Sequence, residues 1–340
     1  MKDGKRVIWF NHWFAQAYNF ISLLKRDPRN YIIATAKVSE FVFGAEADLT
    51  FTEPRNIDGK AYTEWALSFC KEQRVDVFFA KRWIYEISKH IEEFEDIGTK
   101  VIYSRDRDTV KMLSSKMRSR DFMKKGGLCA VPPMEVISSA AEFGPAYERI
   151  KAACGEKSYV CVKADCDEGG VTYKRLYDEF NGRKLPEDIY YRAFEEDLKS
   201  RSRVSPLVVM PYLMEPEISI DCMQTPGGLI AVPRYKQPNH ITVLDFNEKI
   251  MTIAENISAG LKLEYPYNIQ LRMLGDEYVF MEVNTRMAGG CYKADAVGVN
   301  FPQLAVSYAF GDPISTDSIK AGLHTVRVGD ISGYVIMPEK

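Results

Sequence analysis

The sequence predicts an α/β protein: an N-terminal Rossmann-like domain with a parallel sheet, followed by a half of α+β character. Three observations carry this. Short β-rich apolar runs alternate with helically spaced segments across residues 6–103, the pattern of βαβ units. The pairs Gly126-Gly127 and Pro132-Pro133 then punctuate the chain and open a new region. Beyond them strands come in pairs joined by turn residues, as antiparallel sheets require. A chain of 340 residues has room for two to three domains at ~150 residues each.

In order, strands are expected at 6–10, 31–35, 75–79 and 100–103, with helices at 18–25, 62–73 and 84–94. The opening turn, Asn11-His12-Trp13-Phe14, lacks the G-x-G-x-x-G by which a backbone approaches a pyrophosphate, so bound NAD or FAD is disfavoured. That turn either shapes a substrate pocket or is structural. Residues 109–126 read as a polar helix, and 159–163 as a strand leading through the turn 165–170 to a returning strand at 171–176. Residues 177–203 are rich in charge and read as an insertion containing a helix. Strands follow at 206–213, 217–223 and 229–235, the last after the turn Pro226-Gly227-Gly228. The segment 247–261 is an amphipathic helix with Ile250, Ile253, Ala254, Ile257 and Leu261 on one face.

Composition excludes several functions. With 45 Lys and Arg against 47 Asp and Glu, the net charge of −2 offers no diffuse field for nucleic acid. No apolar run approaches a membrane span or a secretory segment, so a cytoplasmic chain is expected. Seven scattered cysteines without a C-x-x-C pair read as reduced thiols, and four histidines without ligand spacing argue against a transition metal. A bound metal would be hard and oxygen-ligated.

The informative stretch is a hairpin at 267–287. Strand alternation puts Asn268, Gln270 and Arg272 on one face of its first strand and Tyr278, Phe280, Glu282 and Asn284 on one face of its second. A three-residue loop, Gly275-Asp276-Glu277, would pair Gln270 with Glu282 and Asn268 with Asn284; a two-residue loop would set Gln270 against Met281. The first register is preferred. It gathers Gln270, Glu282 and Asn284 as oxygen donors suited to Mg²⁺, with Arg286 just beyond; the alternative is a solvated sheet face.

Glu282-Val283-Asn284-Thr285-Arg286, preceded by Asn268-Ile269-Gln270 and followed by Gly289-Gly290, resembles the metal-binding signature of ATP-grasp enzymes, especially those similar to the carbamoyl phosphate synthetase large subunit and biotin carboxylase. Lys116 and Lys163 resemble the two nucleotide-binding lysines of that fold. Val208-Val209-Met210-Pro211-Tyr212-Leu213 resembles the adenine hinge, and Glu217 the residue that holds the ribose. The resemblance implies a Rossmann-like domain at 1–108, a small lobe at 109–205 and a large lobe with the metal site at 206–340, the two lobes clamping ATP. It implies ATP and two magnesium ions as cofactors, with Mn²⁺ an acceptable substitute. Backbone groups of Met210 and Tyr212 would then contact adenine, and Lys116 and Lys163 the phosphates. Gln270, Glu282 and Asn284 would hold the metal, Arg286 the acid substrate, and Arg234 with Lys236 the γ-phosphate; exposed sheet-edge charges are the alternative for the last two.

The implied activity is a carboxylate–amine ligation through an acyl phosphate, with release of ADP and phosphate. Its partners would be a small-molecule acid and an amine, with no nucleic acid and no membrane; a homodimer stays open. One departure from the pattern is the loop Asp165-Cys166-Asp167-Glu168-Gly169-Gly170, which keeps Gly169 and Gly170 for the triphosphate but adds three carboxylates. These either point to solvent or recruit a further cation or basic group. They also motivate the competing reading, a catalytically silent nucleotide-binding regulatory module of the same fold.

Overall fold

Residues Arg6–Phe10 form β1, which is buried along almost all its length, as a strand covered on both faces must be. After it come α1 (Ala17–Lys25), β2 (Asn30–Ala36), β3 (Leu49–Thr52), α2 (Gly59–Gln73), β4 (Val77–Phe79), α3 (Ile84–Ile87), α4 (Ile91–Asp96) and β5 (Lys100–Val101). The structure, a computed structural model, describes residues 4–154, 159–166, 172–178 and 186–330. Strands β1 to β5 make one sheet in the order β3-β2-β1-β4-β5, and every pairing in it is parallel. The register sets Trp9 beside Phe78 and Phe10 beside Phe79, and both ring pairs stack, at 4.0 and 4.5 Å.

The chain continues with α5 (Arg107–Leu113), α6 (Lys116–Gly126), β6 (Glu135–Ile137), α7 (Ala140–Cys154), β7 (Val160–Ala164), β8 (Lys174–Tyr177), β9 (Asp188–Tyr190), α8 (Tyr191–Ser200) and β10 (Leu207–Pro211). A second sheet follows the order β6-β10-β7-β8-β9. Helix α7 lies in a stretch to which the sequence reading assigned no element. Pro145 sits early in the helix, and the loss of one N–H there is outweighed by burying Phe143, Ala146, Tyr147 and Ile150 against Val160, Val162 and Val209. The charged segment does contain a helix, α8, and also a short strand, β9, parallel to β8.

The remaining elements are β11 (Met214–Thr225), β12 (Gly228–Lys236), β13 (Ile241–Leu244), α9 (Glu248–Gly260), β14 (Tyr267–Leu274), β15 (Glu277–Asn284), α10 (Phe301–Phe310), α11 (Thr316–Ala321) and β16 (Val326–Gly329). Their six strands take the order β15-β14-β11-β12-β13-β16. The hairpin turn between β14 and β15 has two residues, Gly275 and Asp276, not the three expected. Strict alternation is also broken within β15, where the consecutive residues Val279 and Phe280 are both buried. Phe280 N–H donates to Ala130 O at 2.9 Å, so the edge of β15 is covered by chain from outside its sheet.

Two compact units result, each discontinuous in sequence: Met1–Arg107 with Ile220–Asn268 and Asn284–Lys340, and Asp108–Ser219 with Ile269–Val283. The unit boundaries at 219–220 and 268–269 fall within the strands β11 and β14. The core of the first unit joins Ile8, Phe10 and Phe79 to Met223, Ile230, Phe301 and Val306. Among the described residues, no helix is long and apolar enough to cross a membrane.

Helix α6 shows how local chemistry sets its bounds. The Ser115 side chain accepts from Arg118 N–H at its start, and Gly127, at φ +60°, closes it in the left-handed conformation. No atom lies within 4 Å of a Cβ added at Gly127, so its need for glycine is purely conformational. Gly127→Ala should therefore cost about 1 kcal/mol of stability, read as a lower urea midpoint at unchanged slope; an unchanged midpoint would contradict the left-handed cap.

Candidate functional site

In the second unit, Lys163 lies near the end of β7 opposite Val208 of β10, and it is 9% exposed. Burial drives its pKa down, and the nearby positive charges of Lys116 and Arg272 act in the same direction. Cys161 and Glu282 oppose this, but burial holds the Cys161 thiol up at about 12, so it is neutral at ordinary pH and Glu282 is the charged counterweight. Three cations and one carboxylate are thus within electrostatic reach of one another. They border an apolar cluster of Met134, Cys161, Val208, Met210, Leu213 and Val279, with Met117, Tyr173 and Met281 packed against it.

Lys116 is positioned by the helix it begins. The Asp165 carboxylate, just past β7, accepts from Ser115 Oγ at 2.7 Å and Met117 N–H at 2.9 Å, while its carbonyl accepts from Lys116 N–H at 3.1 Å and from Nζ at 3.4 Å. Asp165 therefore neither points to solvent nor awaits a cation: it caps α6. Asp167, Glu168, Gly169 and Gly170, also singled out in the sequence, lie outside the described residues.

The hinge differs in detail from expectation. Tyr212 N–H donates to Tyr159 O at 2.8 Å, so that donor is taken up within the chain, and Met210 faces Cys161 across the sheet. Tyr212 and Tyr159 are held from the side by Arg175, whose guanidinium lies 5.2 and 4.6 Å from their rings and forks onto Asp188 at 2.5 and 2.7 Å. Glu217 is bound to Arg272 at 2.7 Å. Arg272 Nε is itself buried without a hydrogen-bond partner. Gln270 and Glu282 are both half-buried.

In the first unit a buried polar group that sequence reasoning passed over organises the sheet. Asp221 of β11, 1% exposed, accepts from Arg234 Nε at 2.5 Å, Arg234 Nη2 at 3.1 Å and Asn268 Nδ2 at 2.8 Å. Arg234 and Asn268 are buried too, so the sheet-edge alternative for Arg234 does not hold. A carboxylate between Ile220 and Cys222 in an apolar strand was the available sequence signal. Lys236, two residues further along β12, is exposed. A Cβ at Gly290 would come 2.5 Å from Arg234 Nη1, which explains why glycine stands there. Asn284 ends β15; after it, Thr285 Oγ1 pairs with Tyr103 OH at 2.9 Å and Arg286 Nη1 donates to Met287 O at 3.1 Å.

Gln270, Glu282 and Asn284 carry one carboxylate and two amide oxygens, the donor chemistry of a hard cation, but the two-residue turn is not the one that pairs Gln270 with Glu282. No group of three His, Cys, Asp or Glu gathers among the described residues. The buried Asp221 sets a stability test. Asp221→Ala leaves Arg234 charged and unpaired, and should cost about 3–5 kcal/mol in chemical denaturation. Gly290→Ala should lower stability less, while disturbing Arg234; wild-type behaviour of both variants would contradict this geometry.

Residues 203–333 match the model of a protein family described as ATP-grasp in the biosynthetic pathway with Ter operon. No curated protein matches the chain by sequence. Solved structures do match it by fold. A biotin carboxylase from Campylobacter jejuni, solved as a β-γ-ATP complex, aligns at TM-score 0.69 and 16% identity, over 92% of this chain and 73% of that one. An L-amino acid ligase from Bacillus licheniformis aligns at 0.65 and 14%, over 94% and 77%. An N5-carboxyaminoimidazole synthetase from Staphylococcus aureus aligns at 0.64 and 11%, over 92% and 78%. A parallel sheet is followed by two further sheets, and the likeness along nearly its whole length shows that the chain shares the fold of these enzymes, with the ATP-grasp family model matching its residues 203–333.

Proposed function

We propose that this protein is an ATP- and magnesium-dependent carboxylate–amine ligase. The observation that carries the reading is the buried Lys163 ammonium, set among Lys116, Arg272 and Glu282 beside an apolar cluster. Three cations face two carboxylates, Glu282 and the Glu217 paired with Arg272, and a triphosphate is an anion suited to the remaining positive charge. The fold likeness to an L-amino acid ligase and to carboxylases supports the same class of chemistry.

In this reading the adenine lies against Met210, Cys161 and Met281, whose polarisable sulfur atoms suit a flat ring. Glu217, braced by Arg272, accepts from the ribose hydroxyls. Lys116 and Lys163 neutralise phosphate oxygens. Arg234, with Nε and Nη2 fixed by Asp221, would contribute its charge toward the γ-phosphate. Lys236 adds charge from the end of the same strand, and Arg286 holds the acid. Gln270, Glu282 and Asn284 would hold magnesium, which when bound neutralises the β- and γ-phosphates.

The substrate carboxylate attacks the γ-phosphorus, a P–O bond forms, the bridging P–O bond breaks, and ADP leaves. An amine then adds to the acyl carbon, loses a proton, and expels phosphate. No protein nucleophile is required, so catalysis rests on positioning and charge.

Incubation with ATP, Mg²⁺, panels of acids and hydroxylamine should yield hydroxamate and ADP in equal amounts, and chelation should stop both until Mg²⁺ is restored. Lys163→Gln and Glu282→Gln should each slow turnover by about 100-fold or more. ATP binding without ADP release across broad acid and amine panels would refute the ligase reading.

A further inference from the structure

The first unit contains a cavity of about 430 Å³ lined by Lys37, Arg55, Asn56, Ile57, Arg82 and Trp83. All six follow the carboxyl ends of parallel strands: Lys37 follows β2, the group Arg55, Asn56 and Ile57 follows β3, and Arg82 and Trp83 follow β4. In this sheet β2 and β4 flank β1, so the chain order reverses there, and open α/β sheets bind ligands at such a reversal.

The walls are built rather than incidental. Asn11 is fully buried at the end of β1; its Oδ1 accepts from Lys81 N–H at 2.7 Å and its Nδ2 donates to Arg82 O at 3.0 Å and Tyr62 OH at 3.1 Å. This clamps the backbone that presents Arg82 and Trp83. Arg82 Nη1 donates to Glu53 Oε2 at 2.7 Å and Pro54 O at 3.1 Å, and its guanidinium lies 4.6 Å from the Tyr62 ring centre. Glu53 is fully occupied within the protein, accepting also from Thr35 Oγ1 and His12 N–H, both at 2.7 Å. Arg55 is tied by Nε to Lys37 O at 2.6 Å.

Three cations thus line the cavity against one internally satisfied carboxylate. Two further acids nearby are also engaged: Asp58 accepts from Ala61 N–H as the cap of α2, and Glu86 pairs with Lys89. Trp83 supplies a flat apolar wall. It is 43% exposed, has φ +58°, and lies over Gly59, where a Cβ would come 3.0 Å from the indole. Held on a clamped backbone beside three cations, it gives the cavity a flat face on which an aromatic body can stack.

We infer that this cavity binds a small molecule bearing oxyanionic groups, carboxylate or phosphate, on a planar body. Lys37, Arg55 and Arg82 take the oxyanions and Trp83 stacks on the body. The inference rests on the first unit alone and does not require the ligase reading.

Calorimetric titration of the full chain with phthalate and with phenyl phosphate tests it, with dimethyl phthalate as the neutral control and saturating ADP present throughout to fill any nucleotide site. Both anions should bind and change tryptophan fluorescence, and the neutral diester should do neither. Arg55→Gln and Lys37→Gln alter exposed side chains and should each weaken binding about tenfold or more; Trp83→Leu should weaken it and remove the fluorescence change. Absence of binding by both anions, equal binding of the diester, or affinities unchanged in Arg55→Gln would overturn the inference.

Discussion

The carboxylate of Asp165 is the contact on which the placement of Lys116 near Lys163 in the second unit depends. It reaches from the end of β7 to the first turn of α6, accepting from Ser115 and Met117, while its own carbonyl accepts from Lys116. An anion at a helix N-terminus is favourable by itself, because the first N–H groups there lack partners. Here the same contact brings a helix carrying Lys116 against a strand carrying Lys163. Two like charges are held near each other at an electrostatic cost that the cap and the packing of Met117 and Met210 offset.

A second constraint is that charges inside sheets must be paired. Asp221 with Arg234 and Asn268 in the first unit, and Glu217 with Arg272 in the second, place guanidinium groups at fixed angles on strands that would otherwise favour aliphatic residues. Such pairs are poor stabilisers compared with apolar packing of equal volume, so their presence has a meaning beyond stability: an arginine already paired and oriented keeps its geometry when an anion arrives.

The N-terminal sheet shows the same economy in another form. Stacked pairs Trp9–Phe78 and Phe10–Phe79 lock β1 to β4, and the polar groups just past the strand ends, Asn11 and Glu53, hold the loops in place. Rigid strands with loops braced at their carboxyl ends are where ligands of α/β proteins are met.

Much of this architecture was legible in the chain. The parallel strands around 6–10, 31–35 and 75–79, the helix closed by Gly127, the amphipathic helix near 247–261 and the hairpin strands follow from periodicity and punctuation, which act locally. Helix α7 was not assigned from the sequence and rests on apolar partners distant along the chain, and the hairpin turn is one residue shorter than preferred, with Val279 and Phe280 both buried against strict alternation. The residue types at the candidate site could be read, but not their partners. That Asp165 caps a helix, that Asp221 grips Arg234 and that Asn11 clamps the backbone at Lys81 and Arg82 are contacts between residues far apart in sequence. Hydrogen bonding and burial in three dimensions decide them, and no pattern of neighbours along the chain encodes either.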